Sequence, residues 1–310
     1  MHSEPPVIVL LATYNGAKFL QQQLDSLLGQ RWQNLTILAR DDGSTDSTVE
    51  ILLNYQSTNP DKVRLVQGGG SNLGASGSFS ALLQHALGHS GDPALQADYF
   101  LFCDQDDVWL PGKIDTQMSA MQKLASQHPG KPLLVHSDLE VVNAEGEPIA
   151  PSLAAYQGLE THRNRFPNLI ISNLVTGCTA LFNRPLAELA LPVPADAIMH
   201  DWWMALVASA FGALSFVDEP LVRYRQHGEN TIGAKRHIKG GETLVDALRR
   251  ATNLAPNVHL QEVARQAGAF RRVYGERLSR EQTSALRKCE RMASGIGVIQ
   301  RAHYKRARQL

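Results

Sequence analysis

The sequence lacks any apolar stretch approaching the roughly 18 to 20 continuous residues that a membrane-spanning helix requires. Cysteine is scarce: three residues in 310, at Cys103, Cys178 and Cys289. An odd, widely spaced set supports neither a disulfide framework nor a zinc cluster, and fits a reducing cytosol. The opening MHSEPPVIVLLATYNG has no basic leader, and its apolar run of about eight residues is short for a signal-peptide core. A cytoplasmic protein is expected, soluble or at most attached to a membrane surface. Two nucleotide signatures are also missing. No G-x-G-x-x-G follows the first apolar run, where only Gly16 stands, and there is no Walker A sequence, so the usual NAD and ATP readings lose their support. Internal repeats of fixed period and low-complexity tracts are absent as well.

Net charge is lacking too, with 30 Lys/Arg against 30 Asp/Glu, but its distribution is lopsided. From Ala234 onward there are 17 basic and 6 acidic residues, which leaves 13 against 24 before that point. The asymmetry marks the tail as a candidate interaction surface. A chain of this length with 43% hydrophobic residues can bury a large core, as one domain or as a domain with an appendage.

Val7 to Ala12, VIVLLA, is a continuous β-branched and apolar run, the pattern of a strand covered on both faces. AKFLQQQLDSLL at 17–28 then carries Phe19, Leu20, Leu24, Leu27 and Leu28 at helical spacing. The unit recurs with LTILAR at 35–40, a capped helix in DDGSTDSTVEILLNY, and KVRLVQ at 62–67. Such alternation predicts a doubly wound, mostly parallel α/β sheet. Further strands are expected at 133–143 and 173–183, a helix at 201–212, and a strand from 213 that gives way to a polar loop before Gly228. Beyond Gly240 the pattern is helical. The expected division is a sheet domain over 1–240 and a basic helical extension over 241–310.

FLFCDQDDVW at 100–109 sets three carboxylates, Asp104, Asp106 and Asp107, directly behind a buried-looking strand. Their mutual repulsion, sharpened by burial, calls for a positive partner. Ligands of open α/β sheets bind beyond the carboxyl ends of the strands. There the first strand delivers Thr13, Tyr14 and Asn15, the second Asp41 and Asp42, and the fourth Asp104, Gln105 and Asp106. A divalent cation held by Asp104 and Asp106 could bridge to a substrate diphosphate, while Asp41 or Asp42 could accept hydrogen bonds from a base or ribose. Strand alternation turns Asp107 away from Asp106 and gives it a structural role beside Trp109.

Taken in order, LLATYNG, ARDDGSTDST, NLGASGSF, FCDQDDVW and HDWW resemble the family 2 glycosyltransferases of GT-A fold. The closing YRQHGENTIGA is similar to the bacterial branch described as rhamnosyltransferases. The resemblance spans roughly residues 5–235. It implies an inverting, Mg²⁺- or Mn²⁺-aided transfer of a sugar, rhamnose being one candidate, from a dTDP- or UDP-sugar to a hydroxyl of a glycan or lipid-linked acceptor. The setting implied is bacterial surface polysaccharide synthesis. By the same resemblance Thr13, Tyr14 and Asn15 form the first nucleotide-contacting loop, and Asp42 with Asp41 contacts the base. Asp104-Gln105-Asp106 is the D-x-D signature, with Asp106 the firmer metal ligand and Asp104 facing ribose or metal. Asp201 is the catalytic base, and His227 a further metal ligand. Because the 68–77 loop lacks the basic residue often found there, diphosphate contacts are expected from Arg223 or Arg225.

Plainer readings stand beside these. Asp41-Asp42-Gly43-Ser44 has turn composition, Asp201 could cap the helix it opens, and His227 could be an ordinary loop histidine. The basic tail reads either as an amphipathic helix drawn to the anionic inner face of the cytoplasmic membrane or as a helical hairpin packed on the body. No nucleic-acid module accompanies the charge. The competing functions are a nucleotidyltransferase acting on sugar phosphates, whose Gly-rich basic signature is absent, and a catalytically silent sugar-nucleotide-binding protein.

Overall fold

A computed structural model describes residues 4–66, 72–88, 91–92, 95–228 and 257–291. The first half alternates β1 (Val7–Thr13), α1 (Ala17–Leu28), β2 (Leu35–Asp41), α2 (Thr48–Thr58), β3 (Val63–Leu65), α3 (Gly74–Gly88) and β4 (Tyr99–Cys103). The four strands are parallel, with Val7 of β1 level with Leu35 of β2 on one side and Tyr99 of β4 on the other. Strand alternation divides the core between the faces. Ile8 and Leu10 join Phe79, Leu82 and Leu83 of α3, while Val7, Val9 and Leu11 join Leu20 and Leu24 of α1 and Leu52 of α2. A strand buried on both faces has no polar side to show, which is why these runs are continuously apolar.

The second half adds β5 (Val108–Trp109), α4 (Lys113–Gln127), β6 (Leu133–Val142), β7 (Pro148–Ala150), α5 (Leu153–Gln157), α6 (Phe166–Leu169), β8 (Leu181–Asn183), α7 (Arg184–Ala190), α8 (His200–Phe211) and β9 (Ala213–Arg225). The sheet runs β3-β2-β1-β4-β8-β6-β9-β5, with β7 on β6. It turns antiparallel where β8 meets β4 and β6, and β9 then lies parallel to β6.

One expectation changes. Of the strand expected over 173–183 only Leu181–Asn183 is extended; Gly177–Thr179 forms a single 3₁₀ turn that carries the chain beneath the start of α8. The strand expected from 213 runs for 13 residues to Arg225 before the polar loop. Its partner β6 holds it throughout, and the register shifts near Asp138 absorb the polar Asp218-Glu219 step. β5 and β7, two and three residues long, carry too little pattern to be read from sequence.

Past residue 256 lie α9 (Val258–Tyr274) and α10 (Arg280–Glu290), the latter opened by a capping box between Ser279 and Gln282. Val263 and Phe270 of α9 and Leu286 of α10 are fully buried, in the same core cluster as β1, α3 and α8. The Phe270 ring meets Trp203 at 5.2 Å, and the Tyr274 hydroxyl donates to the Leu189 carbonyl at 2.8 Å. This part of the basic tail is a helical pair packed on the body. The Gly240–Gly241 boundary, the helix expected near 243–251 and the closing stretch 292–310 lie outside the described residues. No helix among the described residues is long and apolar enough to cross a membrane.

Candidate active site

The loops leaving β1 and β2 are stitched together. Thr13, only 2% exposed, donates its hydroxyl to Asp41 Oδ1 at 3.0 Å. Asp41 also accepts the Ser44 hydroxyl at 2.5 Å and the amides of Gly43 and Ser44 at 3.0 and 2.8 Å. That turn needs Gly43, whose φ is +92°. Asn15, in the left-handed region at φ 48°, accepts the Thr45 amide at 2.8 Å and donates its own to Ser44 Oγ at 2.8 Å. Asp41 thus binds its own turn, as its composition allowed, and neither its side chain nor that of Asn15 lines the cleft described below.

Asp42 is buried against Arg40 Nη1 at 2.5 Å and accepts the amides of Leu73 and Gly74 at 2.8 Å each, where α3 begins. Burial pushes its pKa upward, but the Arg40 hydrogen bond and the Leu73 amide outweigh it and hold the carboxyl below its ordinary value. Asp42 is therefore a charged residue with a resident countercharge.

Gln105 ties the acidic loop to the first one. Its Oε1 accepts the Tyr14 amide at 2.7 Å, and its Nε2 donates to the Tyr14 carbonyl at 2.9 Å. A Cβ at Gly16 would lie 2.1 Å from that Oε1, so this contact demands glycine. Tyr14 itself is 49% exposed at the cleft mouth.

Beyond β4, Asp106 Oδ2 meets His227 Nε2 at 2.7 Å, so the loop after β9 reaches the D-x-D segment across 121 residues of sequence. The His227 ring rests on Phe19 with centroids 4.9 Å apart. Asp104 is pushed up to about 7 by burial, with Asp106 and Asp201 adding to the rise. Asp107 is completely buried, accepts the Arg225 amide at 3.1 Å, and is driven well up by burial and the other two carboxylates. Its structural role agrees with strand alternation, yet ligand-competent atoms of Asp104, Asp107 and Cys178 all lie within 4.8 Å of one another.

Arg225 requires a correction. It is 3% exposed and lies behind the loop, not in the cleft. Its Nε donates to the Asp106 carbonyl at 2.9 Å, Nη1 to the Ala144 carbonyl at 2.8 Å and Nη2 to Gln22 Oε1 at 2.6 Å, with the guanidinium over Phe19 at 4.7 Å. Its donors face protein carbonyls, so Arg225 braces the acidic loop and has no place as a diphosphate contact.

Asp201 lies in the first turn of α8, whose N-cap is Met199, so it is not the N-cap, although its carboxylate accepts a first-turn amide. It is 8% exposed and accepts the Trp202 amide at 2.5 Å and Asn173 Nδ2 at 3.3 Å. Burial raises it to about 7 against the pull of the Trp202 and Gly177 amides and Asn173.

A cleft of about 810 Å³ gathers Thr13, Tyr14, Asp42, Asp104, Gln105, Asp106 and Asp201 on its walls. Residues that the sequence did not single out line it too: His200 and Gly177 beside the candidate base, and His259 and Glu262 at the start of α9. His200 had a signal, its place in HDWW, whereas the α9 pair had none.

The sequence profile of glycosyl transferase family 2 matches residues 8–189. The chain belongs to glycosyl transferase family 2. Among relatives of this family 2 chain, an uncharacterised glycosyltransferase of Rickettsia prowazekii is 26% identical over 231 residues, spanning 73% of this chain and 66% of that protein. The dTDP-rhamnosyl transferase RfbG of Shigella flexneri is 26% identical over 243 residues, 74% of this chain and 75% of that one. Among solved structures, S. aureus TarS with UDP-GlcNAc superimposes with a TM-score of 0.54 at 14% identity, covering 98% of this chain and 92% of that chain. A mannosyltransferase of Pyrobaculum calidifontis with GDP-mannose and Mn²⁺ gives 0.52 at 16% identity, covering 99% and 76%. The family 2 sheet is thus the GT-A sheet that its motifs led one to expect.

Proposed function

We propose that this chain is an inverting, metal-aided glycosyltransferase that moves a sugar from a dTDP- or UDP-sugar to a hydroxyl of a glycan or lipid-linked acceptor. The observation that carries the reading is the convergence of Asp104, Asp106 and Asp201 on one cleft, with Asp201 held near neutrality. A base with a pKa close to the working pH takes up a proton without losing its driving force. The 26% identity with RfbG supports rhamnose as the first sugar to test and surface polysaccharide as the product class.

Thr13, Tyr14 and Asp42 form the nucleotide side of the cleft, and Asn15 and Asp41 hold the loops that carry them. Asp201 accepts the proton of the acceptor hydroxyl as that oxygen attacks the anomeric carbon. The new C–O bond forms on the face opposite the departing nucleoside diphosphate, so the configuration inverts. One base suffices and no covalent intermediate is needed, in contrast to the carboxylate pair of a retaining hydrolase. Asp106 and His227, with Asp104, would hold the cation, since carboxylate and imidazole meet there and the elevated Asp104 is a carboxyl awaiting positive charge. Two carboxylates with one imidazole nitrogen suit Mn²⁺, and the carboxylates also suit Mg²⁺; either ion would supply charge against the leaving diphosphate.

The test pairs two variants. Asp201→Asn should bind nucleotide sugar as the parent does while its transfer rate falls by about 10² to 10⁴. Asp106→Ala should lose the Mn²⁺-dependent rise in melting temperature on adding UDP or dTDP. Undiminished transfer by Asp201→Asn removes it as the base.

A further inference from the structure

His200 precedes the candidate base and is 3% exposed, yet neither ring nitrogen has a hydrogen-bond partner among the described residues. The ring is held firmly. It stacks on Phe79 at 4.2 Å with 28° between planes and meets Phe102 edge-on at 4.6 Å. Its backbone amide donates to Ser76 Oγ at 3.2 Å. Burial depresses its pKa to about 3, so the imidazole is neutral, with one nitrogen a donor and the other an acceptor.

An unpartnered polar group at this depth costs about 1–3 kcal/mol, and a core position between two phenylalanines is filled as well by a third. What distinguishes the site is where the nitrogen points. A Cβ on Gly177 would lie 3.2 Å from His200 Nε2 and 3.6 Å from Asp201 Oδ2. Imidazole and carboxylate therefore both close on the bare Gly177 backbone, which only glycine leaves room for, and all three residues line the cleft. A sugar hydroxyl, donor and acceptor at once, matches a neutral imidazole in either tautomer.

We propose that His200 is a specificity-determining residue that hydrogen-bonds a sugar hydroxyl next to the group deprotonated by Asp201. The hydroxyl belongs to the donor sugar or to the acceptor, and the experiment separates the two. The inference rests on the transferase reading of the same cleft.

His200→Phe keeps the aromatic packing and removes both polar atoms, so it should melt no lower than the parent. Its kcat/KM should fall about 10- to 100-fold, the span that a lost buried hydrogen bond represents, and His200→Gln should recover part of the loss. If the donor is the source, His200→Phe binds UDP and dTDP unchanged but loses the extra affinity of UDP-GlcNAc or dTDP-rhamnose over the bare diphosphate. If the acceptor is the source, those affinities stay and KM for the acceptor rises. Transfer by the parent enzyme secures the underlying reading. With that established, His200→Phe indistinguishable from the parent in both substrates' constants overturns the proposal and leaves His200 a packing residue.

Discussion

At the level of single residues, the site is governed by carboxyls that burial keeps from ionising. Asp104 and Asp201 both rise from an ordinary 3.8 to about 7. In the metal-free protein the folded state therefore retains protons that the unfolded chain has released between those values. Stability should be fullest toward pH 4 and decline as pH climbs through 7. Differential scanning calorimetry in chelator should show a lower melting temperature at pH 8 than at pH 5.5. Mn²⁺ should restore more at the higher pH, since metal binding requires the deprotonated carboxylates. Transfer should follow the opposite trend, rising with pH through about 7 as Asp201 becomes available to accept a proton, and a pH–rate profile flat from 5.5 to 8.5 would contradict that base. Residue types and their order were legible in the sequence: the D-x-D segment, Asp201 and His227 all reach one place or its rim. The direction of a side chain was not. Arg225 carries the right charge for a diphosphate, but only three-dimensional packing shows its fork turned toward the Asp106 and Ala144 carbonyls.

At the level of elements, strands with no polar face announced themselves, and those sharing their edges with water did not. β1, β2 and β4 are continuous apolar runs because helices cover both sides. β9 mixes polar and apolar residues and survives through its long pairing with β6. The 173–183 stretch misleads because Val175, Cys178 and Ala180 are buried in and around a turn as completely as in a strand, and periodicity cannot separate the two over so short a run. The loops between elements are where the site is most vulnerable. Gly16→Ala should expel the Gln105 side chain and break its two bonds to Tyr14, at a cost of about 1–3 kcal/mol, measurable by urea denaturation. Arg225→Lys should cost a similar amount, because an ammonium cannot serve the three separate acceptors that the planar guanidinium reaches. Weaker Mn²⁺ binding should accompany it, read by titration calorimetry, because the loop carrying Asp106 loses its brace.

Considered whole, the molecule closes its core only with the tail in place. Phe270 lies among Trp203, Phe166 and Phe211, and Phe270→Ala should lower stability by about 3–5 kcal/mol. A chain ended after Gly240 would expose the apolar faces of α7 and α8, and is expected to bind a hydrophobic dye and lack a cooperative melt. Membrane attachment of the tail is therefore better tested by reversing charges at its exposed basic residues than by truncation. The compositional asymmetry of the tail was plain in the sequence. That its helices complete the core was not, because a mixed basic and apolar pattern serves a membrane surface and a protein surface alike.

The family profile ends at Leu189, within α7, whereas Asp201 and His227 lie beyond it and His259 and Glu262 line the cleft from beyond residue 256. On the proposed roles, a recombinant hybrid joined in the 191–198 linker would inherit nucleotide recognition from one parent and the proton acceptor from the other. One joined after Gly228 would take base and metal ligands together and exchange, among the described residues of the cleft, the α9 wall. Comparing the two hybrids asks whether sugar choice and acceptor choice are inherited separately, and the cleft's construction from distant stretches of chain is what makes that question answerable.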